Sequence, residues 1–168
     1  MRRTLLLSAV IVTALLLQTT VFADVRLLGA KPELMYLLTI VFAFLEGPSS
    51  GAVTGFIGGM AQDFLLDEPK GITALTLTLL GYGVGLLRQY VVSPSPVFPV
   101  VLVGCGTFVG VLFNGVVRFL LGQFDVTVLY LFRVAALSAA YNAILTPLLL
   151  PVLRRAAEVS RSHRVARW

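Results

Sequence analysis

The sequence predicts an all-α fold, a polytopic membrane bundle of about six transmembrane helices. Three observations carry that expectation. Of the 168 residues, 58% are hydrophobic and 12% charged, about half the roughly 25% charge that a soluble domain needs to cover its surface. The mean hydropathy is +0.94, which calls for a bilayer rather than water as the outer solvent. The apolar residues also gather into six runs, separated by short breaks rich in Gly, Pro and charge. None of the runs alternates as the strands of a membrane barrel would.

The first run covers residues 4–23, after Arg2 and Arg3 and before Asp24 and Arg26. Its flanks resemble those of a cleaved signal peptide, but its length and the runs that follow favour a retained span. Pro32 and Glu33 open a second run that ends at Leu45. Glu46-Gly47-Pro48-Ser49 breaks it, and a Gly-rich third run covers residues 50–66. A polar turn from Asp67 to Gly71 precedes the fourth run, residues 72–87, which ends at Arg88. Ser93-Pro94-Ser95-Pro96 is a strong breaker. The fifth run covers residues 97–121, and the sixth covers residues 128–153 with Pro147 inside it. Neighbouring helices can satisfy the carbonyl that such a proline frees. The domain expectation is one transmembrane unit, residues 1–153, followed by a basic cytoplasmic tail, residues 154–168.

The net charge is +5, and its distribution orients the chain. With six spans and an inner amino terminus, Arg2, Arg3, Arg88, Arg154, Arg155, Arg161, Arg164 and Arg167 fall inside. Arg26, Lys31 and Lys70 fall outside. This bias predicts both termini in the cytoplasm. The arginines flank apolar spans instead of forming a face beside aromatics, so nucleic acid is not the expected partner. The five tail arginines, Arg154, Arg155, Arg161, Arg164 and Arg167, suit contact with anionic lipid, each worth about 1 kcal/mol near the inner leaflet.

Candidate site residues are few. Gly51, Gly55 and Gly59 recur every fourth residue and share one helix face, where small residues let two backbones approach. The face serves either intrachain packing or a partner. Asp63 continues it. Ionisable groups inside a membrane usually face the bundle interior, so Asp63, Arg118 and Arg133 are expected to form an intramembrane polar cluster near the outer end. Asp63 would pair with Arg118 or Arg133, with Glu33 nearby; the alternative is that these groups snorkel to water. Asn114 and Asn142 read as interhelical hydrogen-bonding amides. Gly81-Tyr82-Gly83-Val84-Gly85 superficially matches a potassium filter, but it lies within a continuous apolar run and reads as close packing. The lone Cys105 excludes an intrachain disulfide or a cysteine-based metal site, and His163 sits in the tail. No phosphate loop, zinc motif or nucleophile elbow is present. Neither a catalytic residue nor a cofactor is expected.

Several stretches together resemble the MreD family, the rod-shape-determining membrane proteins of bacteria. They are Leu15-Leu16-Leu17-Gln18-Thr19-Thr20, Gly47-Pro48-Ser49-Ser50-Gly51, Gly55 through Gln62-Asp63-Phe64, and Lys70-Gly71-Ile72-Thr73-Ala74-Leu75. The Gly81 to Gly85 segment and Tyr141-Asn142 to Thr146-Pro147 complete the set. The resemblance implies a non-enzymatic scaffold in the inner membrane. Its implied partners are an MreC-like membrane protein, MreB, RodA and a penicillin-binding transpeptidase, together organising side-wall peptidoglycan synthesis. It also implies a fold similar to the substrate-binding membrane subunits of energy-coupling-factor transporters. That similarity supplies the alternative function, a vitamin-type substrate-binding transport subunit. An ion or lipid pathway through the Asp63 cluster is a third. Homo-oligomerisation is left open.

Overall fold

The computed structural model describes residues 2–20, 32–66, 71–90, 97–122 and 127–161. Among these the chain is all-helical: α1 (Arg2–Thr20), α2 (Leu34–Glu46), α3 (Pro48–Leu65), α4 (Ile72–Leu87), α5 (Phe98–Leu120) and α6 (Val128–Arg161), with a 3-10 turn after α4. The ends of the helices follow local chemistry. Gly47 alone links α2 to α3 at φ +99, a backbone that favours glycine. Pro48 then occupies the first turn of α3, where its missing N–H costs nothing.

The centre of the bundle is α2. Every residue from Leu34 to Phe44 is buried, as expected for a helix that is apolar on all sides. It touches α1, α3, α4, α5 and α6. At 1.5 Å per residue, its 13 residues reach only about 20 Å, short of the roughly 30 Å hydrocarbon core. The second apolar run is therefore a central packing helix rather than a full-length span. Among the described residues two helical stretches, Phe98–Leu120 and Val128–Arg155, are long and apolar enough to cross a membrane. Their outward faces carry Val109, Phe119, Ile144, Leu148 and Val152, each more than half exposed. So large a bare apolar surface belongs against lipid or another protein. The boundary expected after Leu153 falls inside α6, which continues to Arg161 with Pro147 and Pro151 within it.

Glycines set the tightest contact, between α3 and α4. A Cβ on Gly51 would lie 2.5 Å from Ala43 Cβ and 2.6 Å from the Gly81 carbonyl oxygen. A Cβ on Gly55 would run into the backbone of Leu77, one on Gly59 into Ala74, and one on Gly85 into Pro48. The two backbones touch directly, which gives dispersion contact that lipid cannot replace. On α5, Gly106 and Gly110 admit the Ile40 and Tyr36 side chains of α2. Gly83 differs, because a Cβ there would meet nothing within 4 Å. It lines an apolar groove of about 540 Å³ between α4 and α5, with Leu80, Leu87, Cys105, Val109 and Phe113.

Several hydroxyls inside the apolar helices are absorbed locally. Thr13, Thr19, Thr76 and Thr78 each donate to the carbonyl four residues earlier, which lets a polar side chain sit in a nonpolar surround.

Gly55→Ala should lower the unfolding free energy by about 1–3 kcal/mol through overpacking. Gly83→Ala should be neutral or stabilising by up to about 1 kcal/mol, since alanine is the better helix former. Thermal melts of both variants in mild detergent check the contrast.

Candidate functional site

The polar groups converge around Glu33, at the start of α2. The Glu33 N–H donates to Asn142 Oδ1 at 3.2 Å, and Asn142 Nδ2 donates back to the Glu33 carbonyl at 2.9 Å and to Thr107 Oγ1 at 3.0 Å. One fully buried amide thus grips both polar atoms of one peptide residue and joins α2, α5 and α6. Asn142 lies 14 residues beyond the start of α6, about 21 Å along it at 1.5 Å per residue. Thr107 lies 13 residues before the end of α5. Glu33 therefore sits well inside the bundle, not at its outer rim. The sequence placed it at the rim because a charge at the start of an apolar run ordinarily marks the interface.

The Glu33 carboxylate is held by amides. Its Oε2 accepts from Gln18 Nε2 of α1 at 3.3 Å and from Gln62 Nε2 of α3 at 3.4 Å. Both glutamines are buried at 3% exposure. With Asn142 and Thr107 they make five helices meet at one residue. Buried charge is tolerated where hydrogen bonds surround it.

Asp63 is fully buried and acts on the next helix. Its Oδ2 accepts from the Gly71 N–H at 2.8 Å and from the Ala74 N–H at 3.3 Å. These N–H groups open α4, so the carboxylate caps that helix and complements the positive end of its dipole. Arg118, half-buried, donates from Nε to Asn114 Oδ1 at 2.7 Å, and Asn114 Nδ2 reaches Thr73 and Thr76 of α4 at 3.5 and 3.4 Å. Arg133 is exposed on α6. A partly open cavity of about 160 Å³ brings Arg118 and Asn114 together with Glu33, Gln62 and Thr73. Gly51, Gly55 and Gly59 lie in the α3–α4 contact. Arg154 and Arg155 are exposed on α6, Arg161 closes that helix, and Arg164 and Arg167 lie outside the described residues, as do Arg26, Lys31 and Lys70.

The sequence did not single out Gln18, Gln62, Thr73 or Thr107 as members of a cluster. The available signal was an amide or hydroxyl within an apolar run, at positions that alternating helix direction brings to one level of the bundle. Among the described residues no group of three His, Cys, Asp or Glu side chains is placed to hold a metal.

A helical protein with an apolar exterior and a hydrogen-bonded polar heart is a membrane protein in its physical class. The MreD family model, described as rod shape-determining protein MreD, matches residues 1–156, and the chain belongs to that family. It is therefore a rod-shape-determining membrane protein. No curated protein and no solved structure matches the chain.

Asn142→Ala would take this partner from the Glu33 N–H and the Thr107 hydroxyl, while the Glu33 carbonyl keeps the Tyr36 and Leu37 N–H groups. At about 1–3 kcal/mol for each orphaned buried group, it should be among the most destabilising single changes, whereas Ile144→Ala on the exposed face should change little. Asp63→Ala should cost about 1–2 kcal/mol for the lost cap, and Asp63→Asn less, since the amide oxygen still accepts. Chemical or thermal unfolding in detergent measures all four.

Proposed function

We propose that this protein is a non-enzymatic integral membrane scaffold of the cell-elongation machinery. It binds an MreC-like partner and organises side-wall peptidoglycan synthesis with MreB, RodA and a penicillin-binding transpeptidase. The observation that carries the reading is the family match across residues 1–156. The mechanism is assembly: a rigid bundle fixes where its partners stand in the inner membrane. The bundle lies in the membrane with both termini in the cytoplasm, as the arginine bias favours, and α2 reaches only part of the way across. The basic end of α6 and the tail beyond it rest on anionic lipid.

The geometry bears on which surface is available. The Gly51, Gly55 and Gly59 face is buried against α4, which removes it from partner docking. The groove beside Gly83 is open and apolar, and it suits the single transmembrane helix of an MreC-like protein. The polar cavity at Glu33 and Arg118 is what favours the second reading, a substrate-binding transport subunit.

Co-purification of the tagged protein from its native membrane should recover an MreC-like protein and cell-wall synthases. Gly83→Leu should lose most of the MreC-like partner while the protein remains folded and monodisperse. Recovery of a transporter's ATPase pair in place of these proteins would move the chain to the transport class.

A further inference from the structure

The α5–α6 hairpin ends in an apolar tip that the rest of the bundle leaves bare. Phe119, Leu120 and Leu121 are consecutive and each more than half exposed, as are Val128 and Leu129 at the start of α6. Leu120 and Leu129 reach 76% and 77%. Successive helical residues point about 100° apart, so the tip is open on several sides. It lies at the end of α6 opposite Arg154 and Arg155.

Arg133 stands one to two turns below this tip, five positions after Val128, and is exposed. Among the described residues no hydrogen bond or ion pair holds it. Arg133 and Arg154 are 21 positions apart, about 32 Å of helix, close to the roughly 30 Å hydrocarbon core. The two arginines thus match the two faces of that core, and either placement of the tip carries a cost. With Arg133 at the face, the apolar tip stands beyond it among headgroups and water. With the tip immersed, Arg133 is drawn about 8 Å into hydrocarbon without a counter-charge, where an ionised group is expensive. A lipid phosphate pairs with Arg133 only at the face, which leaves the tip outside. A protein surface that is apolar and carries a carboxylate relieves both costs.

We propose that this tip docks another membrane protein, which lays apolar side chains on Phe119, Leu120 and Leu129 and sets a carboxylate against Arg133. The planar guanidinium fork suits a carboxylate through two parallel hydrogen bonds. Ala136 and Ala140, exposed further along the same helix face as Arg133, leave room for the partner's backbone. A second copy of this chain is poorly matched. The carboxylates described at this end of the bundle are Asp63, which is buried, and Glu33, half-buried among its amides. The inference rests on exposure and charge and stands apart from the scaffold reading. The groove at Gly83 is a separate surface, between α4 and α5.

The test places the photocrosslinker p-benzoylphenylalanine at Leu129, and separately at Leu120, in the full-length protein in its native membrane. The expected product is a crosslink to a membrane protein, with the attachment point mapped by mass spectrometry. Arg133→Glu should lower its yield at least about tenfold, because a like charge then faces the carboxylate. Arg133→Gln, a milder change, should lower it less. Both variants alter an exposed side chain and should keep the Tm of the parent protein. Carboxylates of the partner within one helical turn of the attachment point are then replaced by arginine, one at a time. One such replacement should restore the yield with Arg133→Glu, which identifies the opposing charge. Crosslinks to lipid alone, to a second copy of this chain or to nothing would overturn the proposal. So would a protein crosslink undiminished by Arg133→Glu, or one that no arginine replacement restores.

Discussion

The fold depends on the grip of Asn142 on the backbone of Glu33. Within a bilayer no water completes a helix start, so each N–H freed there needs a partner from the chain itself. Because α2 begins inside the bundle, its first peptide groups face this requirement at full strength. Asn142 meets it by mimicking a peptide, accepting from the Glu33 N–H and donating to the Glu33 carbonyl. The side chain of the same residue is then held by Gln18 and Gln62. One residue thereby fixes α1, α2, α3, α5 and α6 against each other. Nonpolar packing alone would leave those helices free to slide, because lipid tails are as apolar as the side chains they contact.

Around that centre the bundle has two unlike halves. On one side α3 and α4 are pressed together through Gly51, Gly55, Gly59, Gly81 and Gly85, and Asp63 ties the end of the first to the start of the second. On the other side α4 and α5 diverge and leave the groove at Gly83. Tight packing is spent on the interior hairpin, and the open apolar surface lies elsewhere. The Gly51, Gly55 and Gly59 pattern is thus structural, and Gly83, from the filter-like run, lines the open groove.

Much of this was legible from residues. Gly47-Pro48 marks the α2–α3 corner, Pro94 and Pro96 lie in the break before α5, and the alternation of apolar runs and breaks gives six helices. The shared face of Gly51, Gly55 and Gly59 follows from helical periodicity. What the sequence concealed is depth and partnership. Glu33 reads as a rim residue because nothing in its neighbourhood records that α2 is short and central. Asp63 invites an arginine partner, yet two of its partners are backbone N–H groups, which every residue but proline carries and no sequence pattern displays. Gln18 and Gln62 are 44 positions apart and meet only through Glu33, a convergence that exists in three dimensions alone.

The most direct test of the buried centre is amide hydrogen exchange at Glu33 in lipid nanodiscs, read residue by residue. If Asn142 holds that N–H inside the bundle, it exchanges as slowly as the amides in the middle of α6. Exchange as fast as that of an exposed loop would contradict the account, returning Glu33 to the membrane surface and leaving the five helices without their common tie.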